Sequence, residues 1–147
     1  VAYTFPSDAR FKENVKDDIQ GLDFILRLRP VSYNFNRLSF AKHIGEKTDG
    51  REQQLQQLSE NRSVGFLAQD IEKLVNETGF EAFDAVHSPT NEKDNYSLSY
   101  SHFVIPLVKA VQEQQALIEE LKKQNELQQK QNELQQKEIE ALKIKVK

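Results

Sequence analysis

The residues best suited to chemistry lie near the N-terminus, in the stretch FPSDARFK from Phe5 to Lys12. Ser7 offers a hydroxyl and Lys12, five positions on, an amine; together they form a known variant of the nucleophile and general-base pair. For that work the lysine must be neutral to accept the serine proton, a state that burial or a neighbouring cation favours. Arg10 supplies such a cation, whereas Asp8, if close to Lys12, favours the charged amine. Five residues span about 500° of helical rotation, which leaves the two side chains about 140° apart. In a strand the same spacing sends them to opposite faces. A working pair therefore requires a bend between Asp8 and Phe11. An ordinary helix start, with Ser7 as cap and Lys12 in solvent, uses the same residue types, and so short a motif does not separate the two readings.

The other candidates are weaker. His43, His87 and His102 are far apart in sequence and flank no acidic pair at metal-ligand spacing. His43 and His87 read as surface residues of loops or strand ends, His102 as a helix-start residue. No metal and no cofactor is expected. Gly65 precedes FLAQ without the further glycines of a phosphate loop. Gln69 reads as a polar helix-start residue, or as an amide able to orient a carbonyl near the serine.

Composition narrows the function classes. With no cysteine among 147 residues, disulfides, thiol chemistry and thiolate metal sites are excluded. The 20 basic and 23 acidic residues are scattered, for a net charge of −3. No basic stripe exists for a phosphate backbone, so no nucleic-acid partner is expected. FVIPLV is too short to span a bilayer and VAYTFPSDAR carries no signal-peptide pattern, so no membrane association is expected. The opening without Met predicts a piece excised from a longer precursor.

The elements that must position these residues read as an α+β domain followed by a long helix. All nine Phe and all four Tyr fall between Tyr3 and Phe103, which leaves about one hundred residues for the core. Val15, Ile19, Leu22 and Leu26 recur at helical spacing, interrupted by Gly21, and predict a short helix ending before Arg29-Pro30. VSYNFN alternates as a half-buried strand. Residues 37–63 read as polar and irregular, with a helix at REQQLQQLSEN. SVGFLAQD predicts a short buried strand, and AQDIEKLVNETG a helix closed by Gly79. FEAFDAVHS and NYSLSY predict a hairpin around PTNEKD. From Ser101 or His102 a helix runs to the end, with Pro106 tolerated in its first turn.

That tail repeats QNELQQK at 124–130 and again at 131–137, the seven-residue period of a coiled coil. One register places Val111, Ile118, Asn125, Asn132, Ile139 and Val146 at a, with Leu107, Gln114, Leu121, Gln128, Gln135 and Leu142 at d. Glu119–Lys123, Glu126–Lys130 and Glu133–Lys137 then become outward pairs in the favoured order. Leu127 and Leu134 fall outside the seam, at c. The pattern predicts self-association but does not give the number of copies.

Taken in order, SDARFKENV, LDFILRLRPVSYNFN, VGFLAQDIEKLV and YSLSYSHFVIPLVKAVQEQQALIEEL resemble a known domain. It is the C-terminal intramolecular chaperone and auto-processing domain of phage endosialidase tailspikes and tail fibres, shared with the myelin regulatory factor family. The resemblance runs from Ser7 to about Leu121, most specifically in Ser-Asp-x-x-x-Lys, GFLAQD and LVKAVQEQQ. It implies a homotrimer that templates the folding of an upstream fibrous segment of its own precursor. It also implies a single-turnover serine peptidase that frees itself at Pro6–Ser7, with Ser7 as nucleophile and Lys12 as base, supported by Asp8, Arg10 and Gln69. The implied divisions are 1–6 as a remnant of the upstream precursor, 7–103 as the chaperone and processing domain, and 104–147 as the coiled-coil helix. The setting it implies is a virion tail or an exported bacterial surface precursor. The alternatives are a trimerising cap that does not cleave, and a processing domain that releases an upstream regulatory module.

Overall fold

Four phenylalanines from separate parts of the chain meet largely edge to face and set where the core sits. Phe24 packs against Phe80 and Phe83 with ring centroids 5.2 and 5.0 Å apart, and Phe83 against Phe103 at 4.9 Å. Such edge contacts suit the ring quadrupole. Ile71, Leu74 and Ala85 complete the buried cluster. The computed structural model describes residues 5–146, so Val1–Thr4 of the expected upstream remnant and Lys147 of the tail lie outside the described residues.

The architecture is α+β, as the sequence implied. Helices α1 (Leu22–Arg27), α2 (Arg37–His43), α3 (Glu52–Ser59) and α4 (Ala68–Thr78) accompany two small sheets, and α5 (Val104–Lys145) extends beyond them. Strands β1 (Val31–Asn34) and β2 (Arg62–Gly65) pair antiparallel, with Val31 opposite Gly65 and Asn34 opposite Arg62. Strands β3 (Val86–His87) and β4 (Ser97–Leu98) form the expected hairpin, but with two residues each. FEAFDA is a turn that buries Phe80, Phe83 and Ala85 rather than a strand.

Helix α4 follows directly from its sequence. Ile71, Leu74 and Val75 recur at helical spacing on the core side. Asp70 lies in the first turn, where the helix dipole favours an anion. Gly79 closes the helix at φ +64°, a left-handed cap that disfavours a residue with a Cβ.

Three further expectations need correction. The helix read from Val15 onward starts only at Leu22, because Gly21 interrupts it and Asn14 takes a left-handed φ of +52°. Val15 is exposed. SVGFLAQD is not a buried strand: β2 ends at Gly65 and Val64 points into solvent. Residues 37–63 hold a second helix, α2, capped by Asn36, whose Oδ1 accepts from Ser39 N at 2.9 Å. Helix α2 pairs with α3, each burying one apolar residue, Ala41 and Leu55.

Helix α5 is one element of 42 residues, about 63 Å at 1.5 Å per residue. Pro106 and Ala110 face the domain and are buried, whereas every described residue from Gln114 onward is exposed. The three Glu-before-Lys pairs are not formed, and Glu119 instead accepts from Gln115 Nε2 at 2.9 Å. Amides so close in sequence compete for the carboxylates at the same i,i+4 spacing. Among the described residues no helix is long and apolar enough to cross a membrane.

Candidate functional site

The stretch that carries Ser7 and Lys12 is an exposed arm. From Phe5 to Asp18 every residue faces solvent, and burial begins at Ile19. Within the arm, Ala9–Phe11 form a single 3-10 turn, closed by hydrogen bonds from Phe11 N to Asp8 O and Lys12 N to Ala9 O, both 3.1 Å. The turn occupies the interval where a working pair requires a bend. Extended backbone at Asp8 and Lys12 on either side brings the flanking side chains together. Lys12 Nζ donates to Ser7 Oγ at 2.8 Å.

The cap of this turn is Asp8, not Ser7. Asp8 Oδ1 accepts from Arg10 N at 2.9 Å, the expected role of an aspartate at that position. The Arg10 guanidinium grips the same carboxylate, with Nη2 2.6 Å from Oδ2 and Nε about equally close to both oxygens. Arg10 therefore holds the Asp8 carboxyl below the usual carboxylate range, first through its side chain and then through its amide. Asp8 in turn raises the pKa of Arg10. The Asp8 carboxylate is thus engaged by Arg10, while the Lys12 amine donates to the serine hydroxyl. Arg10 also lies over the Phe11 ring, 5.6 Å from its centroid. Pro6 precedes Ser7 on the exposed arm and supplies the carbonyl nearest to its hydroxyl in sequence.

Gln69 is placed elsewhere. It is the second residue of α4, exposed, on a groove of about 720 Å³ lined by Tyr33, Phe40, Phe66 and Tyr100 but by neither Ser7 nor Lys12. His43 and His87 are distant in sequence but converge on Asp94, which the sequence reading missed. His43 Nε2 lies 3.0 Å from the Asp94 carbonyl, and His87 Nε2 lies 3.0 Å from its carboxylate. Amides of Thr90 and Asn95 bind that carboxylate too, which makes it the organiser of the hairpin tip. His102 sits in the 3-10 turn that leads into α5.

The arm is rooted by residues that the motif does not include. Leu22 N donates to Glu113 Oε2 at 2.6 Å, Asp17 pairs with Lys109 at 3.2 Å, and Gln20 Nε2 donates to Thr78 O at 2.9 Å. Leu22 and Glu113 are 91 positions apart, so no local pattern announces the contact. The one available signal was Gly21, whose place inside an apolar repeat asked for a close approach.

The family model described as the chaperone of endosialidase, a peptidase family, matches residues 7–80, from Ser7 to Phe80. The stretch from Glu81 to Leu121, read above as part of the same likeness, lies beyond the match. No curated protein and no solved structure matches the chain.

Proposed function

The chain belongs to the chaperone-of-endosialidase family, and from that premise we propose that it trimerises, templates the folding of a fibrous segment upstream and then cuts itself free before Ser7. The observation that carries the reading is the hydrogen bond from Lys12 Nζ to Ser7 Oγ at 2.8 Å, within the reach a nucleophile and its base require. Its place in the matched residues adds support: the family match begins on Ser7 itself.

The chemistry proceeds in two steps. In the first, Ser7 Oγ attacks the Pro6 carbonyl carbon while neutral Lys12 takes the hydroxyl proton. The C–N bond breaks, and the same proton passes to the Ser7 nitrogen. An ester links Pro6 to Ser7 Oγ. In the second step a water, deprotonated by Lys12, hydrolyses that ester, leaving a Pro6 carboxylate and a chain that starts with Ser7. Pro6 lacks an N–H, but the bond broken uses only its carbonyl, so the ring removes no needed atom.

In the single chain both Ser7 and Lys12 are exposed. An amine acting as base is favoured where water is excluded, so the reading makes assembly the event that covers the arm. Exposure of Leu107, Val111, Ile118 and Leu121 along one face of α5 supports that assembly. Aligning three long chains is entropically costly before contacts form, and a terminal bundle raises the effective concentration of the segments upstream. Release afterwards leaves the fibre held by its kinetic barrier rather than by the chaperone.

The test is mass spectrometry of a longer precursor beside its Ser7→Ala and Lys12→Ala forms. The parent yields a fragment beginning at Ser7 and both variants stay whole. An uncut parent that still trimerises would leave the non-cleaving cap as the function.

A further inference from the structure

The two sides of α5 do different things over the same turns. In the heptad register Leu107, Val111, Gln114, Ile118 and Leu121 form the exposed seam. Lys109 and Glu113 fall about 140° around the helix from that seam and hold the root of the arm. Glu113 Oε2 accepts from Leu22 N at 2.6 Å. The chain passes this point so closely that a Cβ on Gly21 would lie 2.7 Å from both Glu113 Oε2 and Lys109 Cγ. Gly21 is buried, although every described residue before Ile19 is exposed. The arm therefore leaves the body at one place, and α5 forms one wall of it.

We infer that Glu113 is a positioning residue for self-cleavage: by binding the Leu22 amide above Gly21, it fixes where the arm bearing Ser7 and Lys12 departs from the helix that assembles. The inference rests on the self-cleaving reading above. Asp17–Lys109 is a secondary tie, since Asp17 is largely in solvent and exposed ion pairs hold little. The Glu113 contact differs: its donor is a backbone amide with no other acceptor among the described residues, and its carboxylate makes a charge-assisted bond. An arm rooted there departs from one fixed point beside the seam, so neighbouring copies meet its base in the same place each time.

The experiment uses the full precursor and follows three quantities: the rate at which the Ser7 fragment appears, the oligomeric state by sedimentation, and amide exchange over residues 13–22. Glu113→Ala is expected to slow cleavage tenfold or more and raise exchange over 13–22, with assembly unchanged. Glu113→Gln keeps an oxygen for the Leu22 amide and restores the rate to within threefold of the parent. Gly21→Ala, whose Cβ displaces the Glu113 carboxylate and the Lys109 stem from the Leu22 amide, slows cleavage as Glu113→Ala does. Cleavage of Glu113→Ala at the parental rate overturns the inference. So does loss of assembly in that variant, which would make Glu113 a folding residue, or a Gln form as slow as the Ala form. A parent that stays uncut removes the self-cleaving reading itself, and is told apart from those results by the parent sample alone.

Discussion

The exposed seam of α5 yields a quantitative expectation. Ile118 and Leu121 are 45% and 57% exposed in the single chain, and assembly along the proposed register would cover what remains in water. Ile118→Ala and Leu121→Ala each remove three side-chain carbons. At about 0.8 kcal/mol per buried methylene, scaled by those exposed fractions, the pair forfeits about 2.5 kcal/mol per copy and about 7 kcal/mol over three copies. At about 1.4 kcal/mol per factor of ten, the association constant of a trimer falls by about five orders of magnitude. Alanine is the best helix former, so α5 itself is not weakened by the change. The matched control is Leu127→Ala with Leu134→Ala, which removes the same number of carbons from side chains that are each 60% exposed. Because both leucines fall at c, sedimentation equilibrium should give their variant an association constant within about threefold of the parent. A normal trimer from the Ile118/Leu121 pair, or a larger loss from the Leu127/Leu134 pair, would refute the register and the role given to this face.

Two further expectations concern the body and the hairpin. Phe24 is completely buried between Phe80 and Phe83, so Phe24→Ala should cost about 3–5 kcal/mol and lower the calorimetric midpoint by more than about 10 °C; a fall under about 3 °C would remove Phe24 from its central place. The amides of Thr90 and Asn95, and after them His87, pull the Asp94 carboxyl down to about 2. A group whose folded pKa is depressed stabilises above its unfolded value, about 3.9 for aspartate, and that contribution is lost as pH falls through the folded value. Amide protection in the hairpin should therefore decline between about pH 4 and pH 2. Asp94→Asn should flatten that decline, and an equally steep one in the variant would show that other carboxylates govern it.

What could be read in the sequence was what local chemistry decides. The alternation in VSYNFN gave β1, and the spacing of Ile71, Leu74 and Val75 with Gly79 behind them gave α4. Pro106 falls in the first turn of α5 as read, but that helix starts at Val104, after a 3-10 turn over Tyr100–Phe103, rather than at Ser101 or His102. Where the reading failed, distant groups intervened. The apolar spacing from Val15 to Leu26 suits a helix, yet Gly21 and the Glu113 carboxylate start it at Leu22. Helix α2 has little apolar periodicity and depends on Asn36 and on α3, so its polar sequence resembled a loop. At the candidate site the required bend was legible from spacing. The turn that supplies it depends on Asp8 as cap and Arg10 as its partner, roles invisible when both are weighed only as charges acting on Lys12.

The six residues from Ser7 to Lys12 contain everything that brings their two ends together: one turn, its cap and its internal ion pair. Such a unit is portable. Among the described residues no distant strand or helix holds hydroxyl and amine together, so the pair can be carried on a solvent-facing arm. In the self-cleavage we propose, readiness is then decoupled from permission. The pair is set as soon as this short piece of chain has turned, and any restraint on its use must come from outside it, through water and through the position of the Pro6 carbonyl. On that proposal, the making of the tool is separate from the decision to use it.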